Sequence, residues 1–226
     1  MNKVRPNISR LRHSKGREAG LLDILVRYLR ATLVIPDVYF LFSKIVSTRK
    51  LRSTYVENYI RPKAGDRILD IGCGPGNIVE SLSGVEYVGI DKEKRYIEAA
   101  VKRFGTRGKF ICMEVSGSSF KEESAFDTVL AKGVVHHLDD DGAMQLFKLA
   151  RIAMKPSGRL ITIDGCYVKG RSKLEYYILS RDRGQYIRTL EEYYDLASRL
   201  FPKVKASLHY DLLRIPYTHI IMECSS

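Results

Sequence analysis

The chain has 226 residues, of which 45% are hydrophobic and 28% charged, and its formal net charge is +12. This length suits one α/β domain with a modest appendage, and it buries a core without disulfides. The four cysteines have no metal-ligand spacing, and three lie in or beside apolar, strand-like segments, so we expect reduced thiols in a cytoplasmic protein. No secretory signal precedes the domain, and the longest apolar stretch, ATLVIPDVYFLF, is too short to cross a bilayer.

The positive charge is concentrated near the N-terminus. Residues 1–62 hold 13 Lys and Arg against 4 Asp and Glu, whereas residues 63–226 hold 25 against 22. Such a segment favours nucleic acid, anionic lipid or an acidic substrate, and it is equally typical of a solvated basic tail.

The first quarter of the chain reads as a basic tail followed by helices. Residues 1–18 are polar and basic, which is typical of disorder. Apolar residues then recur at helical spacing in three segments, LLDILVRYLRATLV, PDVYFLFSKIVS and RKLRSTYVENYI. We therefore predict a basic tail and helical cap over 1–62 and a second domain over 63–226.

From residue 63 the chain alternates strands with helices. Strands are predicted at DRILDI, EYVGID, GKFICME, FDTVLA and GRLITID, with helices at about 75–82, 92–104 and 139–154. A polar, tyrosine-rich insert at about 165–188 precedes a helix at 189–199 and two further strands, KVKASLHY and YTHIIMEC. This order predicts a doubly wound α/β fold: a seven-stranded, mostly parallel sheet with a C-terminal antiparallel hairpin strand.

The stretch ILDIGCGPGN at 68–77 is typical of a buried strand that turns tightly into a helix, where free N–H groups converge. A dinucleotide-binding loop requires G-x-G-x-x-G, but Asn77 occupies the third glycine position. A phosphate-binding P-loop requires Gly-Lys-Ser or Gly-Lys-Thr, which is absent. What remains is an Asp-x-Gly-x-Gly-x-Gly motif that begins at Asp70.

This motif resembles the first motif of the class I S-adenosylmethionine-dependent methyltransferases. Three further segments resemble that family in order and spacing: YVGIDKEKRYIEAA, FDTVLAKGVVHHL and ARIAMKPSGRLITID. The second of these four motifs places Asp91 21 residues after Asp70, where an acid accepts ribose hydroxyls. The resemblance covers roughly residues 63–164, and the last two strands fit the family's closing hairpin.

The resemblance implies S-adenosylmethionine as cofactor and assigns its contacts. The backbone of Gly72 and Gly74 would lie against the amino-acid portion of the cofactor, Asp70 would orient its ammonium group or the loop, and Asp91 would hold the ribose. Glu114 occupies the position of an Asp that meets the adenine amine in the family, and groups around Lys132 would close the methionine end. The implied cofactor-binding set is Asp70, Gly72, Cys73, Gly74, Asp91, Lys92, Glu114 and Lys132.

Methyl transfer needs a general base only when the acceptor nucleophile stays protonated. The candidates are His136 and His137, just after the fourth strand, and Tyr217 and His219 in RIPYTH. The alternative is that one histidine of the pair packs structurally or caps the next helix. Asp139, Asp140 and Asp141 read as a helix cap in preference to a metal site, so no metal is predicted.

The acceptor is predicted to be a small or lipid-like molecule, with oxygen slightly favoured as the methylated atom. The stretch AKGVVH departs from the Asn/Asp-Pro-Pro-aromatic motif of nucleobase amine methyltransferases, so nucleic acid is less favoured. The insert supplies Arg181, Tyr186 and Arg188 as acceptor-binding candidates, since Arg is suited to carboxylate and phosphate. The amphipathic N-terminal helices either rest on an anionic membrane, which would make the protein peripheral, or pack on their own domain, the reading we prefer.

The sequence therefore predicts a cytoplasmic methyltransferase of small molecules. Two alternatives stay open: an RNA methyltransferase, and a non-catalytic cofactor-binding partner protein at a membrane surface.

Overall fold

The computed structural model describes residues 48–114 and 125–226, together with Val38, Leu41, Ile45 and Val46. The first predicted helix, 21–34, and the disordered tail predicted over 1–18 lie outside the described residues. Of the second predicted helix, 36–47, the described residues are those four, and all four are helical. The third predicted helix is present. It begins as α1 (Arg49–Ser53) and continues as a π-helix over Thr54–Ile60, ending before Pro62 as the sequence indicates. No helix among the described residues is long and apolar enough to span a membrane.

The sheet confirms the predicted fold class. Its strand order is β3-β2-β1-β4-β5-β8-β7, and the first five of these strands run parallel to their neighbours. β8 runs antiparallel to both β5 and β7 and forms the predicted C-terminal hairpin. The strands are β1 (Arg67–Ile71), β2 (Glu86–Asp91), β3 (Lys109–Cys112), β4 (Phe126–Lys132), β5 (Met154–Tyr167), β6 (Arg188–Thr189), β7 (Lys203–His209) and β8 (His219–Ser225).

Two features of the sheet differ from prediction. The two-residue strand β6 pairs with the end of β5 and was not expected. In addition, β5 begins at Met154, before the predicted strand GRLITID, and its pairing with β4 shifts register between Phe126 and Thr128. The strand therefore begins earlier than its apolar core: Met154 pairs with Phe126, residues 155–158 form an irregularity, and regular pairing resumes at Arg159.

The helices that connect the strands are α2 (Lys94–Phe104), α3 (Asp140–Ala153), α4 (Lys173–Ser180) and α5 (Leu190–Ser198). The helix predicted at 75–82 is instead a 3₁₀-helix over Asn77–Ser81. Gly76 begins it with φ of 77°, and Leu82 ends it in extended conformation. The segment is thus too short for an α-helix with satisfied ends.

The two faces of the sheet are covered by different helices. Leu51, Tyr55 and Ile60 of the N-terminal segment pack with Phe104 of α2 on one face, which we call the cap face. The helices α3 and α5 cover the other face through residues such as Phe147 and Tyr193. Because both faces are buried, the strands read as nearly continuous apolar runs, as in Ile68, Leu69 and Ile71.

Side chains alternate between these faces along each strand, and the register fixes which residues share one. Asp70 pairs with Leu130, so Asp70, Leu130 and Lys132 point to the cap face. Asp164 pairs with Ile220, which belongs to the opposite core. The carboxyl ends of the parallel strands, where ligands bind in open α/β sheets, therefore carry polar groups on both faces.

Candidate functional site

The glycine loop is a tight turn fixed to the end of β2. Gly72, Gly74 and Gly76 have φ of 72°, 55° and 77°, a region that favours glycine. The N–H groups of Gly72 and Cys73 both donate to the carbonyl of Ile90. The loop shape thus follows from positive φ and from two hydrogen bonds to the neighbouring strand.

The first two glycines are required for different reasons. A Cβ at Gly72 would lie 2.5 Å from Val134 Cγ2, so the protein itself excludes a side chain there. A Cβ at Gly74 would meet no atom within 4 Å. The space beside Gly74 is therefore open, as a ligand lying against the backbone requires.

Asp91 joins the glycine loop to the start of α2. Its Oδ2 accepts from the Gly74 N–H at 2.9 Å, and its Oδ1 accepts from the Glu93 N–H at 2.8 Å. Burial raises the pKa of Asp91, and these two backbone donors partly offset the increase. The carboxylate is held in place while each oxygen keeps capacity for a further donor, such as a hydroxyl.

Asp70 is a buried carboxyl group with one oxygen unused. Tyr87 donates to its Oδ2 at 2.6 Å, whereas Oδ1 has no hydrogen-bond partner among the described residues. Burial raises the pKa of Asp70 to about 7, although the Tyr87 hydroxyl and Lys132 favour the charged form. A buried acceptor without a donor is costly, and a cation placed beside Oδ1 would satisfy it.

Lys132 lies on the same side of the sheet as Asp70. Asp70 pairs with Leu130 of β4, and Lys132 follows Leu130 by two residues. The Lys132 side chain has accessible surface, but protein surrounds it, and the resulting desolvation lowers its pKa. The negative charge of Asp70 opposes this decrease in the pKa of Lys132. Accessible surface surrounded by protein indicates a concavity, so Lys132 lines the crevice at the end of β4. The described residues offer Lys132 no hydrogen bond or ion pair.

The other residues of the implied cofactor set differ in character. Cys73 is buried, and a Cβ at Gly89 would lie 2.8 Å from its sulfur, so Cys73 fills space beneath the loop. Lys92 and Glu114 are exposed, and Glu114 ends a described segment. Their contacts with the cofactor stay predictions.

The two adjacent histidines have opposite environments. His136 is buried, and its Nδ1 lies 2.8 Å from Asp164 Oδ1 while its Nε2 lies 3.4 Å from Asp182 Oδ1. Burial alone would lower the pKa of His136, but hydrogen bonds to Asp164 and Asp182 raise it to about 9. His136 is therefore an imidazolium at neutral pH, which does not accept a proton.

His137 is exposed and stays neutral. The ring keeps accessible surface, but surrounding protein removes part of its water. This desolvation, followed by the charge of His136, lowers the pKa of His137 to about 4. The two rings lie 4.3 Å apart. Of the pair, only His137 therefore offers a free lone pair near neutral pH.

Asp182 is a site residue that sequence reasoning missed. Its Oδ2 accepts from the Tyr217 hydroxyl at 2.9 Å, and its Oδ1 accepts from the Gly184 N–H at 2.8 Å. Burial would raise the pKa of Asp182, but His136 holds it below its usual range. Nothing in the segment SRDRG indicates this role, because its partners are 46 and 35 residues away in sequence.

His219 is buried beside Tyr217, with ring centroids 4.8 Å apart. Burial, together with the nearby cations Lys132 and His136, lowers its pKa to about 3. Its Nδ1 has no hydrogen-bond partner among the described residues. His219 is thus a neutral ring at the junction of the crevice and β8.

The three acceptor-binding candidates separate into two kinds. Arg181 and Tyr186 are exposed on the insert, and the Arg181 guanidinium lies 5.4 Å from the Tyr177 ring centroid. Arg188 is buried, and all five of its N–H donors are used within the protein. The prediction that Arg188 binds the acceptor is therefore corrected, since its partners are Asp140 and the carbonyls of Val135, Leu138 and Tyr186.

The aspartate run begins α3, as predicted. Asp139 is the N-cap, and its Oδ1 accepts from the Gly142 N–H at 2.9 Å. Among residues 48–114 and 125–226, no group of three or more His, Cys, Asp and Glu side chains is arranged to hold a metal ion.

A cavity of about 250 Å³ lies at the opposite edge of the sheet, before β2 and β3, where Gly84, Tyr87 and Arg107 line it. None of the predicted site residues lines this cavity. The carboxyl edge of the sheet therefore remains the candidate site, because the convergent polar groups lie there.

Residues 68–158 match the sequence family described as a methyltransferase domain. This segment of the chain is therefore similar to a methyltransferase domain. The matched residues begin in β1, include the glycine loop and the 3₁₀ turn Val135–His137, which we call the histidine turn, and end in β5.

Proteins similar to this chain include two named methyltransferases. Phosphoethanolamine N-methyltransferase 1 of Triticum aestivum is 28% identical over 136 residues, which are 58% of this chain and 27% of the wheat protein. Ubiquinone biosynthesis O-methyltransferase of Idiomarina loihiensis is 23% identical over 124 residues, which are 53% and 50% of the two chains.

The fold of the chain also matches a solved structure. Phosphoethanolamine N-methyltransferase 2 of Haemonchus contortus, solved with phosphomonomethylethanolamine and S-adenosylhomocysteine, gives a TM-score of 0.71 at 16% identity. The match covers 88% of this chain and 59% of the nematode chain. The chain thus spans about a quarter to three fifths of the length of these three proteins.

Proposed function

We propose that this chain is an S-adenosylmethionine-dependent methyltransferase that acts on a small-molecule acceptor. One observation carries the proposal: the glycine loop, the open space beside Gly74 and the acids Asp70 and Asp91 converge at the carboxyl edge of the sheet. The relatives support the same reaction class, because phosphoethanolamine and ubiquinone methyltransferases both bear its name.

The residues present fit this cofactor. The unused Oδ1 of Asp70 suits the ammonium group, and the open side of Gly74 leaves room for the amino-acid portion beside the backbone. Asp91, held by two backbone N–H groups, suits the ribose hydroxyls. Lys132 faces the same side as Asp70 and suits the cofactor carboxylate, so Asp70 and Lys132 together match a zwitterion.

The sulfonium of the bound cofactor would supply an electrophilic methyl group. The chain then has to align the acceptor in line with it and remove a proton from the nucleophile where one is present. His137 is the best-placed proton acceptor of the four residues predicted for this role, since it is neutral and exposed beside the crevice. His136 is charged and His219 is buried, so neither suits that step.

The acceptor we propose carries a hydroxyl or an amine as nucleophile, with oxygen slightly favoured. Lys132 at the crevice and the exposed Arg181 of the insert suit an acceptor that also bears an anionic group. Cytoplasmic location and contact of the N-terminal helices with anionic membrane stay predictions. Two exposed apolar side chains four residues apart, Leu41 and Ile45, are compatible with either a membrane or a protein contact.

Calorimetric titration with S-adenosylmethionine, and separately with NAD, tests the cofactor assignment. We expect micromolar binding of S-adenosylmethionine and a loss of affinity on the order of 30-fold or more in Asp91→Ala. The control Glu98→Ala, on the exposed face of α2, should bind with the wild-type affinity. NAD binding in place of S-adenosylmethionine would overturn the proposal.

The zwitterion assignment has its own control ligand. Decarboxylated S-adenosylmethionine lacks the group that Lys132 would bind, so Lys132→Met should weaken binding of the intact cofactor and leave the decarboxylated one unchanged. Equal losses for both ligands would remove Lys132 from the cofactor site.

Methyl transfer itself is tested with tritiated S-adenosylmethionine and two probes, phosphoethanolamine and a catechol. Transfer to either probe with release of S-adenosylhomocysteine identifies the methylated atom. Wild-type protein that binds the cofactor and transfers to no small-molecule extract would favour a non-catalytic binding protein, and transfer to RNA would favour the RNA enzyme.

A further inference from the structure

We propose that His136 is a positioning residue. Its imidazole joins Asp164 of β5 to Asp182 of the insert and so holds the loop 182–186 against the turn that carries His137. We call this loop the acceptor loop, and the group His136, Asp164, Asp182 and Tyr217 the histidine clamp. The proposal deepens the function proposed above and rests on it, since it assigns how the acceptor side of that site is assembled.

The clamp is built from four separate parts of the chain. Asp164 is fully buried in β5 and accepts from both the backbone N–H and the Nδ1 of His136, at 3.2 and 2.8 Å. The Nε2 of His136 faces Asp182 at 3.4 Å, and the hydroxyl of Tyr217, just before β8, donates to the same carboxylate at 2.9 Å. One imidazole therefore connects the sheet to this loop.

The acceptor loop docks on His136 itself. The Tyr186 N–H donates to the His136 carbonyl at 2.9 Å, and a Cβ at Gly184 would lie 1.9 Å from His136 Cδ2. Glycine at 184 thus lets the loop backbone reach the ring directly. Any movement of His136 would displace both the loop and the neighbouring His137.

The positive charge of His136 strengthens this connection and acts on His137. A positively charged His136 ring is held more strongly than a neutral one, because its charge strengthens both the 2.8 Å hydrogen bond to Asp164 and the 3.4 Å ion pair with Asp182. The same positive charge lies 4.3 Å from the His137 ring and opposes its protonation. His136 would thereby place the acceptor loop and keep His137 in its proton-accepting form.

Charged and titratable groups face His136 from each element packed around it. Asp164 on β5, Asp182 on the acceptor loop, His219 at β8 and His137 on its own turn interact with the ring itself, whereas Arg183 acts on His137, Tyr193 on Asp164 and Tyr217 on both carboxylates. The two carboxylates are the only anions of this set, and they contact the ring directly. Their attraction exceeds the opposing effects of burial and of the other cations.

The first test measures docking of the acceptor loop in the whole chain. Trypsin cleaves a peptide bond only when the backbone opens locally, and the Arg183–Gly184 bond lies within the loop. We expect cleavage there, followed by mass spectrometry, to be about tenfold faster or more in His136→Asn and Asp182→Asn than in wild type. Ser180→Ala, at the exposed end of α4, is the matched control and should cleave at the wild-type rate.

The second test reads the charge directly. In ¹⁵N-labelled protein, we expect the His136 ring to stay protonated through pH 8 and the His137 ring to stay neutral above pH 5. In His136→Gln the pKa of His137 should rise toward its ordinary value, a change that a purely structural role for His136 would not produce.

Unchanged cleavage at Arg183 in folded His136→Asn and Asp182→Asn, or an unchanged pKa of His137 in His136→Gln, would overturn the proposal. If the His136 variants fail to fold, Tyr217→Phe removes one hydroxyl contact to Asp182 and should still accelerate cleavage several-fold. Neither readout uses the cofactor. Failure of S-adenosylmethionine binding would therefore sink the proposed function without bearing on the clamp.

Discussion

The glycine loop takes its shape from backbone conformation over a few consecutive residues, whereas the acceptor loop is held by side chains from four separate elements. In the first, positive φ at three glycines and two hydrogen bonds to Ile90 fix the turn. In the second, His136, Asp164, Asp182 and Tyr217 meet from positions up to 81 residues apart. The comparison teaches that the proposed cofactor side is locally encoded and the proposed acceptor side is assembled by the fold.

The largest effect is expected at the glycine loop. Gly72→Ala forces a Cβ to within 2.5 Å of Val134 at a positive φ, so unfolding free energy should fall by roughly 2–5 kcal/mol. Gly170→Ala, also at positive φ but with no atom within 4 Å, isolates the backbone cost and should lose about 1–2 kcal/mol. Urea denaturation measures both, and equal losses would refute the steric explanation.

Gly74→Ala sharpens the same comparison. Its Cβ meets no protein atom within 4 Å, so its stability cost should match that of Gly170→Ala. If the cofactor lies there, calorimetry should nevertheless show a marked loss of S-adenosylmethionine affinity.

The next effect separates the two arginines of the insert. Arg188→Met removes five hydrogen bonds and leaves buried carbonyls without donors, which should cost about 2–4 kcal/mol of stability. Arg181→Met changes an exposed residue and should stay within about 0.5 kcal/mol of wild type. Thermal unfolding compares them, and a stable Arg188→Met variant would return Arg188 to the list of acceptor-binding candidates.

The histidine clamp predicts a pH-dependent difference in stability. The pKa of His136 is raised from 6.5 to about 9 on folding, so its contribution is complete below pH 6.5 and is lost as pH rises through 9. At pH 6 the free energy of unfolding of wild type should therefore exceed that of His136→Asn by about 1.5–3 kcal/mol. This difference comes from the charge of His136 and should disappear near pH 10. Denaturation at several pH values between 5.5 and 10 checks the trend, and a difference that grows with pH would contradict it.

The smallest effect is a proton released when the cofactor binds. Asp70, whose pKa is about 7, is close to half protonated at pH 7, and an ammonium group beside Oδ1 would favour its charged form. Binding at pH 7 should therefore release about half a proton from Asp70. Titration calorimetry in buffers of different ionisation enthalpy measures the release, which should vanish in Asp70→Asn.

The sequence by itself determined the succession of strands along the chain apart from β6, the glycine loop, the position of Asp91 and the cap formed by Asp139. Each of these follows from short-range patterns: apolar runs, glycine spacing and a polar residue before a helix. The segment after the loop was predicted as an α-helix and is a 3₁₀-helix, because local pattern does not report how many residues the chain has before the next strand.

Only the tertiary structure decided the roles around the histidine turn. The pair His136-His137 looks equivalent in sequence, yet burial against Asp164 and Asp182 makes one a charged anchor and leaves the other neutral and exposed. Arg188 read as a ligand-binding residue until its five donors were seen to meet Asp140 and three carbonyls. Burial and long-range contacts set the charge of a side chain and whether it can bind a ligand. The residues next to it in sequence report neither its burial nor its long-range contacts.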